Sequence, residues 1–429
     1  MTSPLTPNTQ AILLLTCPLI VGRSEPPADL LTLTEYNRLT RILRERQKQP
    51  GDLIAPGDED LQEICATQFG HERLEGLLGR AFLLSQAVDR WNDRGIWVVS
   101  RADSAYPRRF KARLKEDAPP ILYGCGNAAL LETGGLAAVG SRHVDEELIS
   151  YAEKVGRLTA ETGRILISGA AKGIDRAAMH GALQTGGSVA GVMADSLERG
   201  ALARDNRESL MDGKLVLISP YDPAAGFNVG HAMQRNKMIY ALADAALVIT
   251  SDFEKGGTWA GAIEQLAKLH FVPVFVRDEA NAVKGNTALL QHGAIRWPNP
   301  QNGDELSQVL SKAAEAAAAQ PQQETLSLAL REQSASYQST LPQQPFPDLA
   351  LTVDNDPLKS DTRPSQALFN LVCEILRREL AEPKSDIEVA ELLNVAKPQA
   401  KIWLTKLAKD GELERLTKPV RYRAVRRLL

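Results

Sequence analysis

Three short segments of this 429-residue chain place cations and small residues where an anion could be held. Residues 136–139 form an apolar run that ends in Gly140-Ser141-Arg142, with a helical pattern from about 146 to 162 behind it. Residues 165–167 end in Ser168-Gly169 and lead into Lys172-Gly173-Ile174-Asp175. A strand that stops at a glycine and turns into a helix leaves N–H groups unpaired at the helix start, where the macrodipole favours negative charge. A third segment, Arg235-Asn236-Lys237, sets two cations around an amide. Arginine offers a planar fork of donors to phosphate oxygens and lysine a point charge. The chemistry these residues suit is therefore binding of a nucleotide or a nucleic-acid backbone. No G-x-S-x-G, H-E-x-x-H or G-x-x-x-x-G-K-[ST] pattern occurs, so the expectation is a protein that is not an enzyme, with no catalytic residue, metal or cofactor.

The elements that must position these turns follow from periodicity. Apolar runs at 95–99, 136–139, 165–167, 189–193, 215–218, 245–249 and 272–276 alternate with helical stretches. That alternation predicts an α/β domain over 96–300, a Rossmann-like, doubly wound, mostly parallel sheet with its ligand at the strand C-terminal ends. Residues 1–95 carry helical patterns at 34–47, 58–67 and 74–92 and almost no β-rich run, which predicts an N-terminal helical domain. Residues 301–365 pass from alanine-rich to Gln, Ser and Pro-rich sequence and read as a linker. Residues 366–429 hold amphipathic patterns at 368–380, 386–393 and 397–410, then alternation at 413–416 and 420–423: three helices and a hairpin, the arrangement of a winged-helix domain.

Composition narrows the class. The formal charge of −3 gives no global field for a polyanion, so a nucleic-acid surface must be a local patch. Cys17, Cys65, Cys125 and Cys373 have no metal-type or disulfide-framework spacing and read as reduced, buried thiols of a cytoplasmic protein. The apolar start at 11–21 is broken by Pro18, is too short to span a bilayer and lacks a basic leader, so it reads as core and no membrane association is expected.

Over residues 101–295 the chain resembles the DprA/Smf family of DNA-processing proteins. The resemblance is carried by Asp103, Tyr106-Pro107, Pro119-Pro120-Ile121-Leu122-Tyr123 and Gly126-Asn127, by Gly140-Ser141-Arg142, and by Ser168-Gly169-x-Ala171-Lys172-Gly173-Ile174-Asp175 with His180-Gly181-Ala182-Leu183. Arg235-Asn236-Lys237-Met238-Ile239, with Phe227 upstream, stands for the family's R-N-R-x-I, and Gly285-Asn286, Leu289-Leu290 and Gly293-Ala294 match its last turn. The resemblance implies single-stranded DNA on one sheet edge, held at Gly140, Ser141, Arg142, Ser168, Gly169, Lys172, Arg235, Asn236, Lys237, Gly256, Gly257, Thr258 and Asn286. It also implies a homodimer that hands the strand to a RecA-type recombinase during recombination or uptake of foreign DNA.

The chain departs from the family pattern at Ala194-Asp195-Ser196, at Ser219-Pro220-Tyr221-Asp222 and at Gly256-Gly257-Thr258-Trp259-Ala260-Gly261-Ala262. The last of these, with Glu264, is similar in part to the glycine loop of lysine-decarboxylase-like nucleotide phosphoribohydrolases. A second reading therefore stands: a nucleotide-sensing or nucleotide-processing protein of the same superfamily, in phage defence or a toxin-antitoxin operon. Plainer accounts of single residues also stand: a salt bridge for Arg142, a solvated helix end for Lys172, a capping role for Asp175, a packed helix position for His180, and a core or base-stacking role for Trp259.

Residues 397–429 hold ten Lys/Arg against three acids, a net +7 in a chain of −3. Lys397, Lys401, Lys418 and Arg421 would face duplex DNA if the winged helix binds it. The same face is merely solvated if the domain binds protein.

Overall fold

The computed structural model describes residues 5–21, 29–55, 59–278 and 283–319, and toward the C-terminus residues 376, 380, 383–385, 388–389, 404, 407–408, 413–417 and 420–424. The chain divides into two compact units, Met1–Leu328 and Ala329–Leu429.

Five helices open the first unit: α1 (Pro7–Thr16), α2 (Leu33–Glu45), α3 (Glu59–Phe69), α4 (His71–Leu78) and α5 (Ala81–Asn92). Helix α1 is apolar nearly all round, and Ala11, Ile12, Leu13, Leu14 and Leu15 are all buried, as expected of a helix enclosed by its neighbours. It starts on Thr6, whose hydroxyl accepts from the Thr9 amide, with Pro7 in the first turn, where its missing N–H costs nothing. The Asp103 carboxylate accepts from Thr6, Thr9 and Ser100, tying α1 to the end of the first strand.

Helix α2 begins with a reciprocal capping box between Thr32 and Glu35. The Arg73 guanidinium, 2.7 Å from Glu35, together with the Thr32 amide, holds the Glu35 carboxyl down from 4.5 to about 2. A lowered folded-state pKa contributes stability above the unfolded value, and that contribution disappears as pH falls from about 4.5 toward 2. Glu35→Gln is expected to make the acid loss of melting temperature shallower over this window and to leave a smaller difference between pH 7 and pH 2.

Nine strands form one sheet: β1 (Ile96–Ser100), β2 (Ile121–Gly126), β3 (Gly135–Gly140), β4 (Ile165–Ser168), β5 (Val189–Val192), β6 (Leu215–Ser219), β7 (Ala245–Thr250), β8 (Val274–Val276) and β9 (Ile295–Arg296). Their order is β1-β2-β6-β5-β4-β3-β7-β8-β9. From β6 to β9 every pairing is parallel. The β1 and β2 edge is antiparallel, with Ser100 opposite Ile121. Strand β2 thus runs opposite to the rest of the sheet, while β1, antiparallel to β2 at the edge, runs in the same sense as the parallel core, because the chain turns back where β1 stops and β2 starts.

The connections are α6 (Arg108–Leu114), α7 (Glu146–Glu161), α8 (Ile174–Gln184), α9 (Leu197–Leu202), α10 (Arg204–Met211), α11 (Val229–Leu242), α12 (Gly256–Glu264) and α13 (Lys284–Gln291), and α14 (Gly303–Ala319) follows the sheet. The strand period of two sorts residues between two cores. Leu136, Ala138, Leu166 and Leu247 share a cluster with Val155 and Ala178, and with Ile12 and Trp91 of the N-terminal helices. Ala137, Val139, Ile167 and Val248 face Phe110, Met238, Ile239 and Leu289. The N-terminal helices thus close one face of the sheet beside α7 and α8.

In the second unit, β10 (Leu413–Thr417) and β11 (Val420–Ala424) form an antiparallel hairpin. Tyr422 exchanges backbone hydrogen bonds with Lys384, and Arg423 pairs with Glu414 at 2.6 Å. Most of the linker, Cys373, Lys397, Lys401 and Lys418 lie outside the described residues, and Arg421 lies on β11. Among the described residues no helix is long and apolar enough to cross a membrane.

Candidate nucleic-acid interface

Strand β3 leads through α7 to β4 on one side and pairs with β7 on the other, so the sheet changes winding direction between β3 and β7. Diverging connections open a crevice at the strand C-termini at such a point. A cleft of about 680 Å³ lies there, lined by Gly140–His143 after β3, by Asp252 and Glu254–Ala260 after β7, and by one face of α11.

At the floor of the cleft the two glycine turns meet an internal anion. Asp175, in the first turn of α8, is 6% exposed, and the amides of Gly140, Gly169 and Ala171 turn toward its carboxylate. Arg235, 4% exposed, faces the same carboxylate across Gly169. A Cβ added to Gly169 would lie 1.6 Å from Arg235 Nη1 and 2.5 Å from Asp175 Oδ2, so only glycine lets the two charges approach. Burial pushes the Asp175 carboxyl up and the Arg235 guanidinium down, and each group's charge opposes the other's shift. The Nε of Arg235 is buried without a hydrogen-bond partner. The amides that the sequence offers to an outside phosphate are thus turned inward, and the Ser141 amide is engaged too, donating to the Thr250 carbonyl at 3.1 Å.

The other residues singled out in the sequence separate into three groups. Arg142 is exposed on the cleft, its guanidinium carbon 5.2 Å from the Phe227 ring centre. Asn236, Gly256, Gly257 and Thr258 also line the cleft, but their polar groups fasten its walls: Asn236 Nδ2 donates to the Gly257 carbonyl at 2.8 Å, and Thr258 Oγ1 donates to the Gly140 carbonyl at 2.9 Å. Ser168, Lys172, Lys237 and Asn286 do not line it. Ser168 is buried and donates to the Ala138 carbonyl; Lys172 is exposed; Lys237 pairs with Asp117 at 3.4 Å. Asn286, 3% exposed, accepts from the Ser251 amide and donates to the Ile249 and Arg277 carbonyls, so it holds the chain at the end of β7. His180 is exposed beside Glu153, 3.2 Å away, rather than packed in the core. Trp259 lines the cleft and meets Phe253 and His292 edge-on.

Sequence reasoning missed the apolar surface of the cleft. Phe227 is 54% exposed, Val229 65% and Met233 47%, all on the cleft, and Phe253 beside Trp259 is 45% exposed. In the sequence Phe227 is only a landmark of the family pattern, and nothing in a one-dimensional pattern marks Val229, Met233 or Phe253, since residues of these types sit in cores by default. Tyr221 stacks on His231, ring centres 3.7 Å apart, and donates to the His231 carbonyl, pinning the first turn of α11. Burial holds the His231 imidazole below its usual pKa. Among the described residues no group of three or more His, Cys, Asp or Glu could hold a metal ion.

Residues 97–308 match the family model described as DNA recombination-mediator protein A. The DNA processing protein DprA of Streptococcus pneumoniae is 30% identical over 181 residues, 42% of this chain and 63% of that protein. Its crystal structure aligns with a TM-score of 0.49 at 22% identity, over 65% of this chain and 98% of that one. Protein Smf of Escherichia coli is 29% identical over 299 residues, 65% of this chain and 73% of that protein. The DNA processing protein A of Helicobacter pylori, whose structure concerns its single-stranded DNA binding mode, aligns with a TM-score of 0.42 at 22% identity over 50% of this chain and 97% of that one. On the family model, the two sequence relatives from Streptococcus pneumoniae and Escherichia coli and the matching turns at Gly140 and Ser168, the chain belongs to the DprA/Smf family of DNA-processing proteins.

Proposed function

We propose that the cleft between β3 and β7 binds single-stranded DNA without sequence preference and without catalysis. The observation that carries this reading is the internal Asp175. With the turn amides of Gly140, Gly169 and Ala171 directed at its carboxylate, the deep cradle that would grip a compact nucleotide phosphate is already filled. What the cleft offers instead is two surface cations, Arg142 and Lys255, with exposed Phe227, Val229 and Met233 beside Arg142. Phosphates along a basic lip and bases on aromatic faces are how single strands are held. On the opposite lip Asp252 and Glu254 flank the exposed Lys255, so the phosphates run along Arg142 and past Lys255 and the bases turn toward Phe227. The nucleotide-processing alternative loses support for the same reason, although the glycine loop at Gly256–Thr258 does line the cleft.

Labelled oligo-dT titrated at two salt concentrations tests this. Arg142→Ala is expected to weaken binding roughly tenfold and to lower the salt slope by about 0.7, one single-strand phosphate contact. Phe227→Ala is expected to weaken it through lost stacking, about 1–3 kcal/mol, with the slope unchanged. Lys237→Ala, paired with Asp117, is expected to be near neutral. A wild-type chain that ignores oligo-dT, or that releases base from a mononucleotide on chromatography, sinks the reading.

Family membership extends the proposal to a homodimer that passes the strand to a RecA-type recombinase in DNA processing, within the cytoplasm. The hairpin Leu413–Ala424 and the basic tail support a winged helix that contacts duplex DNA or a protein partner. Unchanged duplex binding after deletion of residues 366–429 argues against the duplex role.

A further inference from the structure

A second concavity, separate from the switch-point cleft, lies among α1, α3, α4 and α5. It measures about 970 Å³, at the upper end of the range for ligand pockets of roughly 300–1,000 Å³. Leu14, Leu53, Leu74 and Leu84 form its floor, none more than 7% exposed. Its lip carries Glu63, Glu75 and Asp89, all exposed, and among the described residues no lysine or arginine lines it. His71 lies between two of these acids, 3.8 Å from Glu63 and 3.9 Å from Glu75. An apolar trough with a single-sign rim is the mould of a helix that is apolar on one face and oppositely charged along its flanks.

The geometry points to this groove as the docking site of a cationic amphipathic helix supplied by another protein. Its apolar side chains at i, i+3/i+4 and i+7 seat on the leucine floor, and its flanking Lys or Arg meet Glu63, Glu75 and Asp89. The inference is independent of the DNA reading, since none of these residues lines the DNA cleft. A site built for phosphate would carry the opposite charge.

The probe is a fluorescein-labelled peptide of about five turns, with leucines along one face and lysines elsewhere, titrated by anisotropy into the full chain. Binding in the micromolar range is expected, at least tenfold weaker for a scrambled peptide of the same composition. The triple variant Glu63→Lys, Glu75→Lys, Asp89→Lys is expected to weaken binding at least tenfold. Ser85→Arg, which crowds the groove from an exposed position, is expected to do the same. All four positions are exposed, so melting curves should match wild type and verify folding. Hydrogen exchange on adding the peptide should slow within residues 5–16 and 53–92. Equal binding of the scrambled peptide, indifference to charge reversal, or protection elsewhere overturns the proposal. So does dissociation of a self-associated form by the peptide, which would make a second copy of the chain the occupant.

Discussion

Asp175→Ala is expected to lower the stability of the first unit by about 3–5 kcal/mol, the range for removing one partner of a buried charge pair. The substitution leaves the Arg235 guanidinium, 4% exposed and unable to deprotonate, without the stronger of the two acids that face it, Asp175, and with only Asp195 in opposition. It also removes the acceptor toward which the amides of Gly140, Gly169 and Ala171 turn. Arg235→Met is expected to cost a similar amount by stranding the carboxylate. The double variant should lose less than the sum of the two, because removing both charges leaves neither one buried alone. Urea unfolding of the wild type, both singles and the double measures the coupling. Strict additivity would show that Asp175 and Arg235 do not act on each other and would remove the internal-anion argument. The same cycle bears on function, since the oligo-dT affinity of any folded single variant reports whether the plug shapes the surface above it.

Asn286→Ala is the second large effect expected, about 3 kcal/mol. Three backbone groups, the Ser251 amide and the Ile249 and Arg277 carbonyls, lose their partner inside the protein, and each buried unpaired group costs roughly 1–3 kcal/mol. Asn286→Asp separates packing from hydrogen bonding: it keeps the acceptor for Ser251 but turns a donor toward two carbonyls into a charge, and it should be at least as destabilising at neutral pH. Because Ser251 opens the segment that carries Asp252, Glu254 and Gly256, oligo-dT binding should weaken with the salt slope unchanged. A lowered slope would instead mean that Asn286 reaches phosphate directly.

The two classes of effect explain why the family motif reads as one site in the sequence and becomes two layers in the fold. Glycine before a helix, an arginine, a lysine and an asparagine all fit phosphate binding when only order and type are known. Folding assigns Arg142 to the open lip of the cleft, Arg235 and Asp175 to its buried floor, and Lys237 to a pair with Asp117 outside the cleft. Adjacent helix positions point about 100° apart, so Arg235, Asn236 and Lys237 cannot all serve one ligand.

What the sequence by itself determined is the alternation of apolar runs and helices, hence a mostly parallel sheet, the strand ends at Gly140 and Ser168, and the family. Those features are local: a strand period, a capping residue, a glycine at a turn. Only the tertiary structure decided that β2 enters antiparallel between β1 and β6, that the N-terminal helices close one sheet face, and that the turn amides face Asp175 rather than solvent. It also decided that Phe227, Val229 and Met233 stay outside the core. Each of these depends on which separate segments meet in space or on which side of a helix remains uncovered, and neither is encoded in the spacing of residues along one element.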